Sequence, residues 1–219
     1  MGPQYNKEEK NIIPAKRGPY GAIKRLVDFL VSLVFSIALI PVFLIFSLVI
    51  FFTDFHSPFF FQTRIGKGGR SFRLIKFRTM KYDAENFDKY FTSEQKNSYD
   101  SEYKLESDPR ITPIGRFLRR FSIDELPQFL NVITGKMSLI GPRPLTEKET
   151  YFFGKDRDLL LSVRPGITGL WQVSGRNALT YASGDRQRCE LRYIENFGFG
   201  IDLKIFFKTF KEIFSGSGK

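Results

Sequence analysis

Residues 29 to 52, FLVSLVFSIALIPVFLIFSLVIFF, run for 24 positions without a charged side chain, and no other feature limits the fold so strongly. As straight helix the run would measure about 36 Å, enough to cross a bilayer core of roughly 30 Å. It exceeds an ordinary signal-peptide core and no small-residue cleavage site follows, so it reads as a membrane segment rather than a leader. Its flanks argue against a simple span. Lys16, Arg17, Lys24 and Arg25 precede it; Arg64, Lys67, Arg70, Arg73, Lys76, Arg78 and Lys81 follow, with no acid between Asp54 and Asp83. Both ends carry the cytoplasmic signature of the positive-inside rule. A segment that enters and returns on one face satisfies both flanks, and Pro41 offers a place to turn. Proline lacks an amide hydrogen and its ring clashes with the carbonyl of Ile37. The halves on either side of Pro41 are 12 and 11 residues long. Each is then about 16 to 18 Å, near half of the core. The backbone groups freed at the break need polar partners, and Ser32 and Ser36 stand within reach. A kinked helix that still spans is the alternative.

The chain has 219 residues, enough for one sizeable domain with an appendage. Thirty-four Lys and Arg against twenty-three Asp and Glu give a net charge of +11, which points to anionic partners: nucleic acid, acidic lipid headgroups or phosphorylated small molecules. The single cysteine, Cys189, excludes an intrachain disulfide framework and a multi-cysteine zinc site, and suits a reducing compartment. The single histidine, His56, lies beside the apolar run in DFHSPFFF and reads as an interfacial loop residue, not as part of a Ser-His-Asp arrangement. Any metal is then expected among carboxylate, phosphate and water oxygens, which is magnesium chemistry.

Residues 58 to 81 read as a hairpin with a glycine-rich turn and a cationic face in SFRLIKFR; GKGGRS lacks the phosphate-loop spacing. Residues 82 to 108 are acidic and polar, expected to form a short helix and a mobile loop. In FSIDELPQFL the pattern Ser122-x-x-Glu125 fits a capping box, with Asp124 in the first helical turn, and this helix should end near Thr134-Gly135. Whether the paired carboxylates are structural or chemical stays open on these residues alone. LIGPRPL and VRPGITGLWQVSGRN embed arginines in restricted backbone, suited to aiming a guanidinium at phosphate oxygens or at a surface carboxylate. In DLKIFFKTFKEIF, Leu203, Phe206, Phe207, Phe210 and Phe214 share one helical face and Lys204, Lys208 and Lys211 another. Such a helix suits a membrane interface or the protein's own core.

QTRIGKGGRSFRLIKFRTM, DPRITPIGRFLRRFSIDELPQFLNVITGKMSLIGPRPL and VRPGITGLWQVSGRN, following a basic membrane-entering N-terminus, together resemble the bacterial sugar transferase family of small monotopic phosphoglycosyl transferases. The resemblance runs in order from about residue 22 to residue 210. It implies transfer of a sugar-1-phosphate from a UDP-sugar to a polyprenyl (undecaprenyl) phosphate, with magnesium required and UMP released. That reaction is the first membrane step of bacterial glycoconjugate assembly. The implied nucleophile, which becomes a covalent phosphosugar adduct, falls on Asp124, and the implied magnesium-associated glutamate on Glu125. Arg119 and Arg143 fall on implied phosphate binders. Lys76, Arg78, Arg164, Gln172 and Arg176 match motif positions that would line the nucleotide and phosphate site. The family's re-entrant helix breaks at a Ser-Pro pair; here Ile40 precedes Pro41, which removes one hydrogen-bond partner from the break.

The expected class is helix-rich α/β: a monotopic protein of the bacterial cytoplasmic membrane with its catalytic domain facing the cytoplasm. The expected organisation is a basic polar tail at 1 to 18 and a re-entrant helix at 19 to 54, broken near Pro41. A compact catalytic domain at 55 to 200, with a small β-hairpin or sheet, and an interfacial amphipathic helix and tail at 201 to 219 would follow. Nothing before residue 22 resembles the extra spans of larger members, so the minimal catalytic form is expected. The rival classes are a membrane-tethered nucleic-acid-binding module and a non-catalytic scaffold. The first leaves the Asp124-Glu125 pair and GPRP unexplained, and no nucleic-acid partner is expected.

Overall fold

The computed structural model describes residues 18–92, 95–96, 108–175 and 179–215. The tail through residue 17, much of the acidic stretch (93–94 and 97–107) and Arg176 lie outside them. Helix α1 covers Pro19–Ala38 and α2 covers Ile40–Asp54, and the two axes meet at 60°. The break falls at Leu39, two residues before the expected one. Pro41 instead occupies the first turn of α2, where its missing amide and fixed φ cost nothing. Ser32 and Ser36 do not serve the break, since neither hydroxyl has a hydrogen-bond partner. Among the described residues no single helix is long and apolar enough to cross a membrane, whereas the bent pair together is, by length and composition.

The expected hairpin forms from β1, Phe59–Ile65, and β2, Ser71–Phe77, paired antiparallel, with a short 3-10 turn at Lys67–Gly69. After a single helical turn at Phe87–Tyr90, the short helix expected in the acidic stretch, come α3 at Pro113–Arg120 and α4 at Gln128–Ile133. A second sheet, unforeseen in the sequence, pairs β3, Ser138–Ile140, in parallel with β4, Gly166–Thr168. The chain closes with α5, Asp185–Glu195, and α6, Phe199–Ser215.

Three apolar clusters hold these elements. Ile50 of α2, Phe77 of β2 and Leu118 of α3 are buried together, with Phe43, Phe46, Phe59, Ile114 and Ile123 against them. Phe72 and Leu74 of β2 pack with Val132 and Met137 at the end of α4. The largest cluster joins Ile140, Leu145, Phe153, Leu160, Val163, Tyr193, Ile194 and Ile205. Helix α1 is fastened by polar groups as well. Arg25 donates to the Val132 and Ile133 carbonyls at the C-terminus of α4, and buried Asp28 accepts from the Ser138 hydroxyl at 2.6 Å. Lys24 and Tyr20 both donate to Asp202 of α6.

Much of the remaining apolar surface is left open. Ile23, Leu26, Leu30, Val34 and Ile37 of α1, and Leu44, Ile45, Leu48 and Phe52 of α2, are exposed. On α6, Leu203, Phe206, Phe207 and Phe210 are exposed as well, while Ile205 is buried. The helix joins the core along its Ile201–Ile205 edge and leaves its aromatic face open. Phe214's side chain lies outside the described residues.

Candidate active site

The site begins where α3 docks on the end of β2. Gly115 permits that docking, because a β-carbon there would lie 1.9 Å from the Thr79 carbonyl oxygen. Thr112 caps α3 by accepting from the Gly115 amide, and its own amide donates to the Thr79 carbonyl. With α3 fixed, Arg119 in its last turn donates from Nε to Thr79 Oγ1 at 2.9 Å.

The capping box expected at Ser122 is absent. Ser122 lies in the left-handed region at φ 55°, makes no side-chain cap, and donates its amide to the Arg119 carbonyl. Its role is to close α3, since an N-cap needs extended backbone. The chain then makes a 3-10 turn at Ile123–Glu125 before α4, which ends at Ile133 with Thr134 and left-handed Gly135, close to where the sequence sets it. A genuine capping box occurs instead at Thr146 and Glu149.

That turn separates the two carboxylates. Asp124 is 8% exposed, whereas the Glu125 side chain is 20% exposed and lies 3.8 Å from Lys76 Nζ. Glu125 therefore does not fold back on Ser122. Ile123 packs into the cluster shared with α2, so the turn rests on the bent helix pair. Lys76 is aimed by β2, which Asn131 of α4 clamps by donating to the Arg73 carbonyl and accepting from the Ile75 amide. Burial raises the pKa of Asp124, and the Glu125 charge adds to this, against the pull of Lys76 and Arg119. Burial lowers that of Lys76, outweighing Glu125 and Asp124, while Arg143 and Arg64 push in the same direction as burial. The centre is thus a desolvated carboxylate among cations, with a more open carboxylate beside it.

Arg143 follows β3 in GPRP. Its amide donates to Glu190 Oε1 at 3.2 Å, its guanidinium lies 5.2 Å from the Trp171 ring, and its buried Nε has no hydrogen-bond partner. Gln172 is buried against the Gly141–Gly169 backbone crossing beside this turn.

Two expected site residues are engaged in contacts within the protein. Arg78 acts as a clamp: it forks onto Asp54 at the end of α2 and donates to the Ser57 and His56 carbonyls, tying the bent helix pair to β2. Arg164 donates to the Gly135 carbonyl and lines a cleft with Lys24, Arg25 and Asp28 of α1. His56 is exposed in the loop after α2, stacked on Tyr82.

Sequence reading missed a buried ionic group behind Arg143. Arg64 donates to Glu149 at 2.8 Å and to the Pro144 carbonyl, fixing the backbone at the last residue of GPRP. Arg186 lies between Trp171 and Tyr181, 4.3 and 4.0 Å from their ring centroids, with Nη2 3.6 Å from Glu149. Burial pushes Glu190 up to about 7, opposed by the Arg143 amide and by Arg186 and Arg143. The only local signal was Thr146-x-x-Glu149, a capping pattern that marks Glu149 as structural.

Comparison with known proteins gives the family. Residues 19–216 match the family described as bacterial sugar transferase. The chain belongs to that family. It is 41% identical over 204 residues to exopolysaccharide production protein ExoY of Sinorhizobium fredii, covering 90% of this chain and 89% of the relative. It is 37% identical over 199 residues to the UDP-galactose-lipid carrier transferase of Erwinia amylovora, and 40% over 158 residues to the undecaprenyl-phosphate galactose phosphotransferase of Salmonella typhimurium. Those matches cover 90% and 71% of this chain but only 41% and 33% of the two longer relatives.

Proposed function

We propose that this sugar transferase moves a sugar-1-phosphate from a UDP-sugar to a polyprenyl phosphate, with Asp124 as a covalent nucleophile and UMP as the product. The observation that supports this most strongly is the buried Asp124 carboxylate facing Lys76 and Arg119 on a turn that rests against the bent helix pair. A carboxylate stripped of water is a stronger nucleophile, and the cations offset repulsion from an incoming pyrophosphate. The named activities of the longer relatives agree with a lipid-linked acceptor.

In the first displacement an Asp124 carboxylate oxygen attacks the phosphorus that bears the sugar. The bond from that phosphorus to the bridging oxygen breaks, and UMP leaves with the electron pair. In the second, an oxygen of the lipid phosphate attacks the same phosphorus and the aspartyl oxygen departs as carboxylate. No proton must be moved by a base, because both nucleophiles are already anions. Lys76, Arg119 and Arg143 would bind and orient the phosphate oxygens.

The donor set suits magnesium: it is all oxygen, and the more open Glu125 lies beside the attacking group. Magnesium is commonly bound through one or two carboxylates plus substrate phosphates. Glu125 would hold it. When bound, magnesium neutralises developing charge on the phosphoryl oxygens.

Helix α2, at 15 residues, is about 22 Å long and falls short of a bilayer core of roughly 30 Å. Helix α1, at 20 residues, would match that length but carries Lys24, Arg25 and Asp28 in its first half. Together with the 60° bend and the open apolar faces of α1, α2 and α6, this supports a re-entrant segment in the bacterial cytoplasmic membrane. Such an arrangement brings a lipid phosphate to the turn that α2 supports.

The test is UMP release by the purified protein with magnesium, undecaprenyl phosphate and a panel of UDP-sugars. Release with at least one sugar is expected; none from a folded preparation would refute the reading. The acid limb of that activity should lie above the ordinary aspartate value of about 4, because burial and Glu125 raise Asp124 and only its ionised form attacks. Turnover then rises with pH through the raised value. Glu125→Gln removes the like charge and should lower the limb, measured on residual activity; an upward shift contradicts this.

A further inference from the structure

We infer that Glu190 is a positioning residue, whose carboxylate holds the main chain of Arg143 so that the guanidinium faces the sugar nucleotide's phosphates. The inference rests on the phosphate-binding role proposed for Arg143.

Glu190 is 1% exposed on α5, and its Oε1 accepts the Arg143 amide. A buried carboxylate kept at such a place needs a reason, because burying an acid away from water is costly unless it is paired. Arg186, one turn earlier on α5, faces Glu190 electrostatically, yet its Nε and Nη2 have no hydrogen-bond acceptor, and neither has Glu190 Oε2 a partner. The pair is therefore not an optimised ion pair. What the arrangement does provide is a fixed acceptor beneath GPRP, with Arg186 immobilised between Trp171 and Tyr181 behind it.

The surrounding charges agree. Three guanidiniums, Arg64, Arg143 and Arg186, stand against two acids, Glu149 and Glu190, so the group holds at least one more cation than anions. Arg64 and Glu149 bond directly at 2.8 Å, and Arg186 approaches Glu149 at 3.6 Å. Arg143 and, more weakly, Arg64 are the members whose charges also act on Lys76, next to Asp124 and Glu125; of the two, Arg64 is already bonded to Glu149. The excess positive charge is thereby presented toward the carboxylate turn, where an anionic substrate would meet it. Glu190 holds Arg143 by the backbone, which leaves the side chain available to that substrate.

Steady-state UMP release separates positioning from mere structure. Glu190→Ala should raise KM for the UDP-sugar by about tenfold or more with a smaller change in kcat. Glu190→Gln, which keeps an acceptor in place, should recover most of that loss. In the Arg143→Ala background Glu190→Ala should add less than about twofold, because the group it positions is gone. If the alanine variant does not fold by thermal unfolding, Glu190→Asp, one carbon shorter, carries the same expectation of a raised KM. An unchanged KM, or an equal increase with and without Arg143, would overturn the inference. Wild-type protein that releases no UMP would instead overturn the reading on which it rests.

Discussion

Asp124→Asn is expected to lower UMP release by at least about 10³-fold, as removal of an enzyme's nucleophile generally does. Asparagine has nearly the same shape and fits the same 3-10 turn, so the loss will not come from repacking. Stability should point the other way. The folded environment raises the pKa of Asp124, which means that at neutral pH the ionised form is disfavoured by folding. The sign follows from burial and Glu125 outweighing Lys76 and Arg119. A neutral amide removes that penalty, so the melting temperature should hold or rise. A variant that keeps a tenth of the activity would show that Asp124 is not the attacking group. A variant that loses activity and also melts well below the wild type would mean the carboxylate is structural.

Gly166→Ala is expected to cost about 3 kcal/mol or more of stability, at the upper end of overpacking effects. A β-carbon at Gly166 would lie 2.1 Å from the Gly141 amide nitrogen and 2.4 Å from the Thr168 carbonyl oxygen. The reciprocal position is as tight: at Gly141 it would lie 2.5 Å from the Arg164 carbonyl and 2.8 Å from the Gly166 nitrogen. These are backbone atoms and cannot rotate away, so β3 and β4 would have to separate. Gly141 leads directly into GPRP, and its amide donates to the Thr168 carbonyl. Separation therefore also displaces Arg143, and activity should fall with stability. Gly200→Ala is the control, because nothing lies within 4 Å of a β-carbon there. In helix α6 it should be neutral or stabilising by up to about 1 kcal/mol. Equal melting of the two variants would contradict the close crossing.

What the sequence made legible was periodic or long. The hairpin shows in the alternation of SFRLIKFR, the bent segment in an uncharged run with an internal proline, and the final helix in its aromatic spacing. The parallel pair β3–β4 has only three residues in each strand, too few for a period to register. Ser122 was misread because the capping pattern it matches says nothing about φ, and φ was set by the need to close α3. Arg78 and Arg119 occupy similar basic contexts in the chain. Only folding decides that one meets Asp54 and the other Thr79 beside Asp124. The ionic group of Arg64, Glu149, Arg186 and Glu190 was illegible for a related reason: charges along a chain read as solvated, and nothing local marks them for burial.

The central claim is the aspartyl phosphosugar, and intact-peptide mass spectrometry tests it most directly. Protein mixed with its UDP-sugar and magnesium, without lipid acceptor, should carry one added sugar-phosphate on the peptide containing Asp124. The adduct should vanish on adding undecaprenyl phosphate and should never form in Asp124→Asn. UMP release without any adduct on that peptide, or an adduct on another residue, would contradict the account.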